Sequence, residues 1–142
     1  MPLTIEKSVA APAHIAWALL AEPERWSAWA PHLRGAQGLG QPEIEVGARG
    51  AVRLLGVLPI PARIVAKEAG HAWTWRVGRV EIRHRAEPEA GDRCVVVFEL
   101  SAPTVVEPVL AATYGPVMAL LARNLARVAA DEFRRARPSD PT

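Results

Sequence analysis

Alternation of apolar and polar residues marks the start of the chain and most of its middle. Over 3–9, Leu3, Ile5 and Lys7 alternate with Thr4, Glu6 and Ser8, which predicts a strand despite the charge on Lys7. Helical spacing takes over at 11–22. Pro12 suits a first turn, Ile15, Leu19 and Glu22 share a stripe, and Trp17 and Leu20 flank it. Pro23 breaks that helix. A second short one follows over 23–33, carrying Trp26 and Trp29. It stops near Pro31, because the residue before a proline is pushed out of the α region.

From residue 35 strands alternate with turn residues. A glycine-rich stretch contains a candidate strand edge at 43–46, and strands are predicted at 48–56 and 60–70 around the turn "GVLPIP". Over 71–77, His71, Trp73, Trp75 and Val77 share one face. Over 79–87, Val80, Ile82, His84 and Ala86 alternate with Arg79, Glu81, Arg83 and Arg85. Over 93–100, Cys94, Val96, Phe98 and Leu100 point inward if Arg93 and Glu99 face water. Short connections make such neighbours antiparallel.

Residues 104–136 carry one long helical pattern. Leu110, Tyr114, Val117, Leu121, Asn124 and Val128 form its apolar stripe. Gly115-Pro116 predicts a kink there or two segments in line. The order is therefore one strand, two short helices, about six antiparallel strands and a long helix, an α+β arrangement. The curled sheet needs a cover, and the long helix is the only element large enough.

A chain of 142 residues, half of them hydrophobic, predicts a single domain spanning 1–137 with a poorly ordered tail at 138–142. No apolar run reaches the roughly 20 residues a bilayer demands, and the first residues lack a secretory pattern. The single cysteine, Cys94, fits a reducing compartment, so a cytoplasmic location is expected. A net charge of +2 comes from arginines scattered along strands and from the tail, not from a clustered basic face, so no nucleic-acid partner is expected.

Familiar catalytic motifs are absent from the sequence. There is no G-x-S-x-G elbow, Cys94 lies between apolar neighbours, and the histidines at 14, 32, 71 and 84 have no metal-ligand spacing. No cofactor is expected. Three features remain. His84 lies on the inward face of its strand, as a hydrogen-bonded core residue or as a general acid/base. Tyr114 sits beside the Gly-Pro step, its hydroxyl turned to a ligand or to solvent. Trp73, Trp75 and Phe98 share the inward phase, as core or as the wall of an apolar ligand site. Arg53 and Arg63 are opposite in phase to Val52, Leu54, Ala62 and Ile64, on the outer surface.

The stretch "VAAPAHIAWALLAEPERWSAWAPHL", the later "VGARGAVRL" and the long last helix resemble the START-like superfamily, also called Bet v 1-like or SRPBCC. The likeness is strongest to its bacterial polyketide cyclase/dehydrase branch and extends over essentially the whole chain. It implies a helix-grip fold: a curved seven-stranded antiparallel sheet wrapped around the C-terminal helix, with two short helices after the first strand. It also implies a hydrophobic cavity, with Trp26 and Trp29 on the second short helix near its wall, one in the core and the other facing the space. Pro31 and His32 lie where the chain leaves that helix.

The expected function is binding of a small hydrophobic, aromatic or polyketide-like molecule. The expected lining is Trp26, Trp29, Trp73, Trp75 and Phe98, completed by Leu110, Val117, Met118 and Leu121 on the long helix. An enzymatic version is a cyclase, aromatase or dehydratase without metal or nucleotide, using His84 and Tyr114 as acid/base groups. The alternatives are a non-catalytic carrier and a protein-interaction module with a packed grip. Small residues at 111, 112, 113 and 115 argue against packing. The protein is expected as a monomer or homodimer that does not insert into membranes.

Overall fold

A computed structural model describes residues 3–31, 33–54, 58–103 and 107–136, with residues 34, 35, 54, 58, 107–111 and 113 described by their backbone alone. The expected tail at 138–142 and His32 lie outside the described residues. Strand β1 (Leu3–Val9) leads into helix α1 (Ala13–Ala21). A 3₁₀ turn (Pro23–Arg25) and the single helical turn α2 (Trp26–Trp29) follow. Then come β2 (Leu33–Gln37), β3 (Arg49–Leu54), β4 (Leu58–Glu68), β5 (Ala72–Val77), β6 (Val80–Glu89) and β7 (Arg93–Ser101). Helix α3 (Glu107–Ala136) completes the described chain.

The seven strands form one sheet in the order β1-β7-β6-β5-β4-β3-β2, antiparallel at every pairing. Strands β2 to β7 pair in chain order, and β1 returns to close on β7. Helix α3 lies against β1, β7, α1 and α2. The expected seven-stranded helix-grip architecture is therefore the observed one.

Tight turns and close approaches explain two glycines. Gly78 has φ +63° in the short β5–β6 hairpin, a conformation that L side chains rarely adopt. At Gly50 a Cβ would sit 1.8 Å from the Gln37 carbonyl oxygen, so only glycine lets β2 pair there.

The expected strand edge at 43–46 does not form. Its place in the sheet is taken by β2, ahead of it in the chain. Residues 43–46 belong instead to an irregular segment that inserts Leu39 and Ile44 into the core. The Ile44 N–H donates to the Ala21 carbonyl at 2.9 Å and Gly47 N–H to Ile64 O at 2.9 Å. An alternating Glu-Ile-Glu-Val reads as a strand, but one buried anchor between two carboxylates produces the same pattern.

Helix α3 also differs from its pattern. It is a continuous helix through Pro116, whose missing N–H removes a single ladder bond. Its buried stripe is Met118, Leu121, Ala122, Leu125, Ala126 and Ala129, rotated from the expected one. Tyr114, Val117, Asn124 and Val128 are only half-buried. Of the small residues expected to leave room in the grip, Ala112 is exposed and Gly115 meets Leu3 of β1.

On the outer sheet face the arginines pair with carboxylates: Arg76 with Glu81, Arg83 with Glu68, and Arg85 with Glu87 and Glu99. Such pairs on a solvated sheet face contribute little stability. They do account for the arginine-rich texture of β6, and Arg53 and Arg63 are exposed as their phase predicts.

Candidate functional site

The site begins at the end of α1. A helix leaves its last four carbonyls without intrahelical donors. Here all four are satisfied. Ala18 O accepts from Glu22 N–H at 3.1 Å and Ala21 O from Ile44 N–H at 2.9 Å. Leu20 O accepts from Trp26 Nε1 at 2.8 Å, and Leu19 O from Trp29 Nε1 at 2.8 Å. The two tryptophans thus cap α1 from a single turn three residues apart, and capping drives both rings inward. Both are buried, and both line the same cavity. The expected division into one core ring and one cavity ring gives way to two that do both. Asn124 of α3 adds a bond from Nδ2 to Trp29 O at 3.3 Å.

Trp17 is buried in the core. Its Nε1 donates to Glu43 Oε2 at 3.1 Å while Lys67 Nζ lies 3.1 Å from Glu43 Oε1. One carboxylate therefore joins α1 to β4.

The sheet supplies the facing wall through its register. Trp73 pairs with His84, and His84 with Phe98; one step along, Trp75 pairs with Ile82. The rings interlock. His84 is stacked on Trp73 with centroids 3.9 Å apart, and meets Trp75 and Phe98 edge to face at 5.7 and 5.6 Å. Trp26 is parallel to Trp73 at 5.6 Å and perpendicular to Trp75 at 5.4 Å, and Trp29 stacks on Phe98 at 6.1 Å. Edge-to-face and offset rings attract through their quadrupoles. Tyr114, Met118 and Leu121 close the space from α3, and Leu33 from β2.

The free space among these rings is small, about 40 Å³. That is room for a few water centres, well below the several hundred Å³ of a typical small-molecule site.

The expected lining residues Trp26, Trp29, Trp73, Trp75, Phe98, Met118 and Leu121 come together here, with His84 and Tyr114 among them. Val117 is half-buried and packs on the core without lining this cavity. The side chain of Leu110 lies outside the described residues. Leu33 and Ile82 were missed. Ile82 shares the inward phase of His84 and could have been read from it; Leu33 starts a short strand with no alternation to signal it.

Burial controls the protonation of the site. His84 is buried and held well below its ordinary value, at about 3, because desolvation penalises the cation, while the nearby Trp73 carbonyl opposes this. Its Nδ1 lies 3.4 Å from Trp73 O, a long contact. A carbonyl only accepts, so that contact needs the proton on Nδ1 and leaves Nε2 as an acceptor. Burial also pushes the Tyr114 phenol up, so it keeps its proton at neutral pH and remains a donor. Cys94 is buried in the core, its thiol pushed up to about 11 by desolvation first and the charge of Glu89 second. Among the described residues no three His, Cys, Asp or Glu side chains converge so as to hold a metal ion. Nor is any described helix long and apolar enough to cross a membrane.

Solved structures of the same shape are numerous. A protein of Mesorhizobium loti superposes with a TM-score of 0.74 at 14% identity, over 97% of this chain and 100% of its own. A START superfamily protein of Mycobacterium smegmatis does so with a TM-score of 0.70 at 16% identity, over 96% and 99%. Norcoclaurine synthase of Thalictrum flavum, in complex with dopamine and hydroxybenzaldehyde, matches with a TM-score of 0.63 at 17% identity, over 92% and 87%. Comparison with curated proteins found no match. The family model for polyketide cyclase/dehydrase and lipid transport matches residues 3–135, nearly the full helix-grip domain. The chain therefore belongs to the polyketide cyclase/dehydrase and lipid transport family, with the START-like fold its sequence resembles.

Proposed function

We propose that the protein binds a small, hydrophobic, aromatic or polyketide-like molecule in the aromatic pocket between its sheet and α3, without metal or nucleotide cofactor. The observation that carries this reading is the lining. Four tryptophans, a phenylalanine and four aliphatic side chains converge on one space, with His84 and Tyr114 as polar groups among them. Apolar walls with few polar groups are what a site for such a molecule requires. Norcoclaurine synthase, which shares the fold, is captured with two single-ring aromatic molecules. The ligand enters by displacing side chains, Met118 being the most adaptable of the lining.

In this reading Tyr114 donates a hydrogen bond to the ligand and His84 accepts one. A carrier needs no more. The enzymatic form assigns these two groups acid/base work in a cyclisation or dehydration. A general base works best with a pKa near the working pH, so the low value of His84 favours binding over proton abstraction.

The test is native mass spectrometry of protein purified from its own host, followed by His84→Gln. A co-purifying aromatic species supports the pocket and supplies the substrate. If His84 is catalytic, the variant loses about 10²–10⁴-fold in turnover with affinity nearly unchanged. A carrier shows only a modest change in affinity. The small free volume favours one competing reading, a packed grip that serves a protein partner. A clean ligand-free mass together with no uptake of a hydrophobic dye decides for it.

A further inference from the structure

Three of the five tryptophans spend their indole N–H on a partner: Trp17 on Glu43, Trp26 on Leu20 and Trp29 on Leu19. The other two do not. Trp73 Nε1 and Trp75 Nε1 are both sealed from solvent with no hydrogen-bond partner among the described residues. Trp73 is 1% and Trp75 8% exposed. The two stand two residues apart on β5, hence on the same sheet face, with their rings edge to face at 5.6 Å and both on the wall of the cavity. A buried donor without an acceptor carries its whole desolvation cost. Phenylalanine would supply an aromatic wall without that cost. A pair of such donors at one wall is a feature that apolar packing alone does not call for.

The remainder of the wall narrows the ligand. Among the described residues no Asp, Glu, Lys or Arg lines the cavity. A charged ligand would be desolvated there with no opposite charge to meet it.

We infer that Trp73 and Trp75 form a donor subsite that receives the neutral carbonyl oxygen of an aromatic ketone, aldehyde or quinone. This rests on the ligand-binding reading of the pocket and specifies its ligand. The aromatic body replaces side-chain rings in the stack, and the oxygen takes the indole protons. Trp17, Trp26 and Trp29 are already bonded and take no part.

Two single-ring probes of the same shape isolate the oxygen: acetophenone, and α-methylstyrene, in which a methylene stands where the oxygen was. The readout is the set of indole N–H resonances of ¹⁵N-labelled protein during titration with each. Acetophenone is expected to move the Trp73 and Trp75 indole protons downfield and leave those of Trp17, Trp26 and Trp29 near their places. It is also expected to bind about fivefold more tightly than α-methylstyrene, the value of one ordinary hydrogen bond. Trp73→Phe and Trp75→Phe should each shrink that ratio toward one. Benzoate should bind more weakly than acetophenone. Equal affinities for acetophenone and α-methylstyrene, with both indole protons unmoved, overturn the donor subsite alone. Binding of neither probe overturns the pocket reading and this inference together.

Discussion

His84 lies flat on Trp73, its ring 3.9 Å from the indole centroid and within 10° of parallel, on the strand paired directly opposite. The imidazole is thus sandwiched into an aromatic row that continues to Phe98, where a cation would have no counter-charge. This arrangement has a consequence for stability that can be read against pH.

Burial holds His84 at about 3, against 6.5 in the unfolded chain. Above 6.5 neither state is protonated and pH has no effect through this group. Between 6.5 and 3 the unfolded chain takes up a proton that the folded site refuses, so stability falls as pH drops, by about 1.4 kcal/mol per unit. His84→Gln cannot titrate. Urea denaturation should show the stability of the native protein relative to the variant decreasing by roughly 2 kcal/mol between pH 7 and pH 5. Parallel pH profiles would mean that His84 titrates in the folded state as it does in the unfolded chain.

The capping of α1 by indoles predicts a contrast among tryptophans. Trp26→Phe and Trp29→Phe each leave a buried helix carbonyl without its donor, a loss of about 1–3 kcal/mol beyond the change in ring size. Trp73→Phe sacrifices no indole hydrogen bond among the described residues. The denaturation midpoint should therefore fall distinctly more for the two capping residues, with an unchanged slope.

Met118 is 2% exposed and faces the small central space from α3. Met118→Ala should cost about 2–5 kcal/mol and enlarge the cavity by the volume of the lost side chain. Benzene, added as a probe, should then raise the melting temperature of the variant more than that of the native protein. An equal effect on both would show that the surrounding rings collapse into the gap.

Two glycine-to-alanine changes should behave differently. In Gly50→Ala the new methyl would collide with the rigid Gln37 carbonyl, which costs about 1–3 kcal/mol and frees the edge strand β2. Gly115→Ala meets only the end of the Leu3 side chain at 3.3 Å, and its helix-propensity gain of about 1 kcal/mol is offset in part by crowding of the new Cβ against Pro116, so stability stays close to that of the native protein. Amide exchange should accelerate in β2 for the first and remain unchanged there for the second.

Much of the site was legible from period alone. Trp73, Trp75, Ile82, His84 and Phe98 share one face because side chains on a strand point alternately to the two faces, and that rule needs no partner to operate. Prolines at 12, 23 and 31 delimited the short helices in the same local way. The stripe of α3 was harder to place. A 30-residue helix rich in alanine offers several adjacent apolar rows, and only contact with β1, β7 and the short helices selects the one centred on Leu125 and Ala129.

The linear chain by itself determined most of the strands and helices and the inward faces of β5, β6 and β7, and hence a sheet covered by one long helix, but neither β2 nor the buried stripe of α3. It did not determine what Trp26 and Trp29 do. Their task, closing the carbonyl end of α1, exists only once α2 has folded back upon that end, because a cap joins groups whose distance the local pattern does not encode. Tertiary structure likewise decided that His84 is neutral, through the rings that exclude water from it. It decided too that the grip holds little free space, since the volume between a sheet and a helix depends on how side chains from both meet.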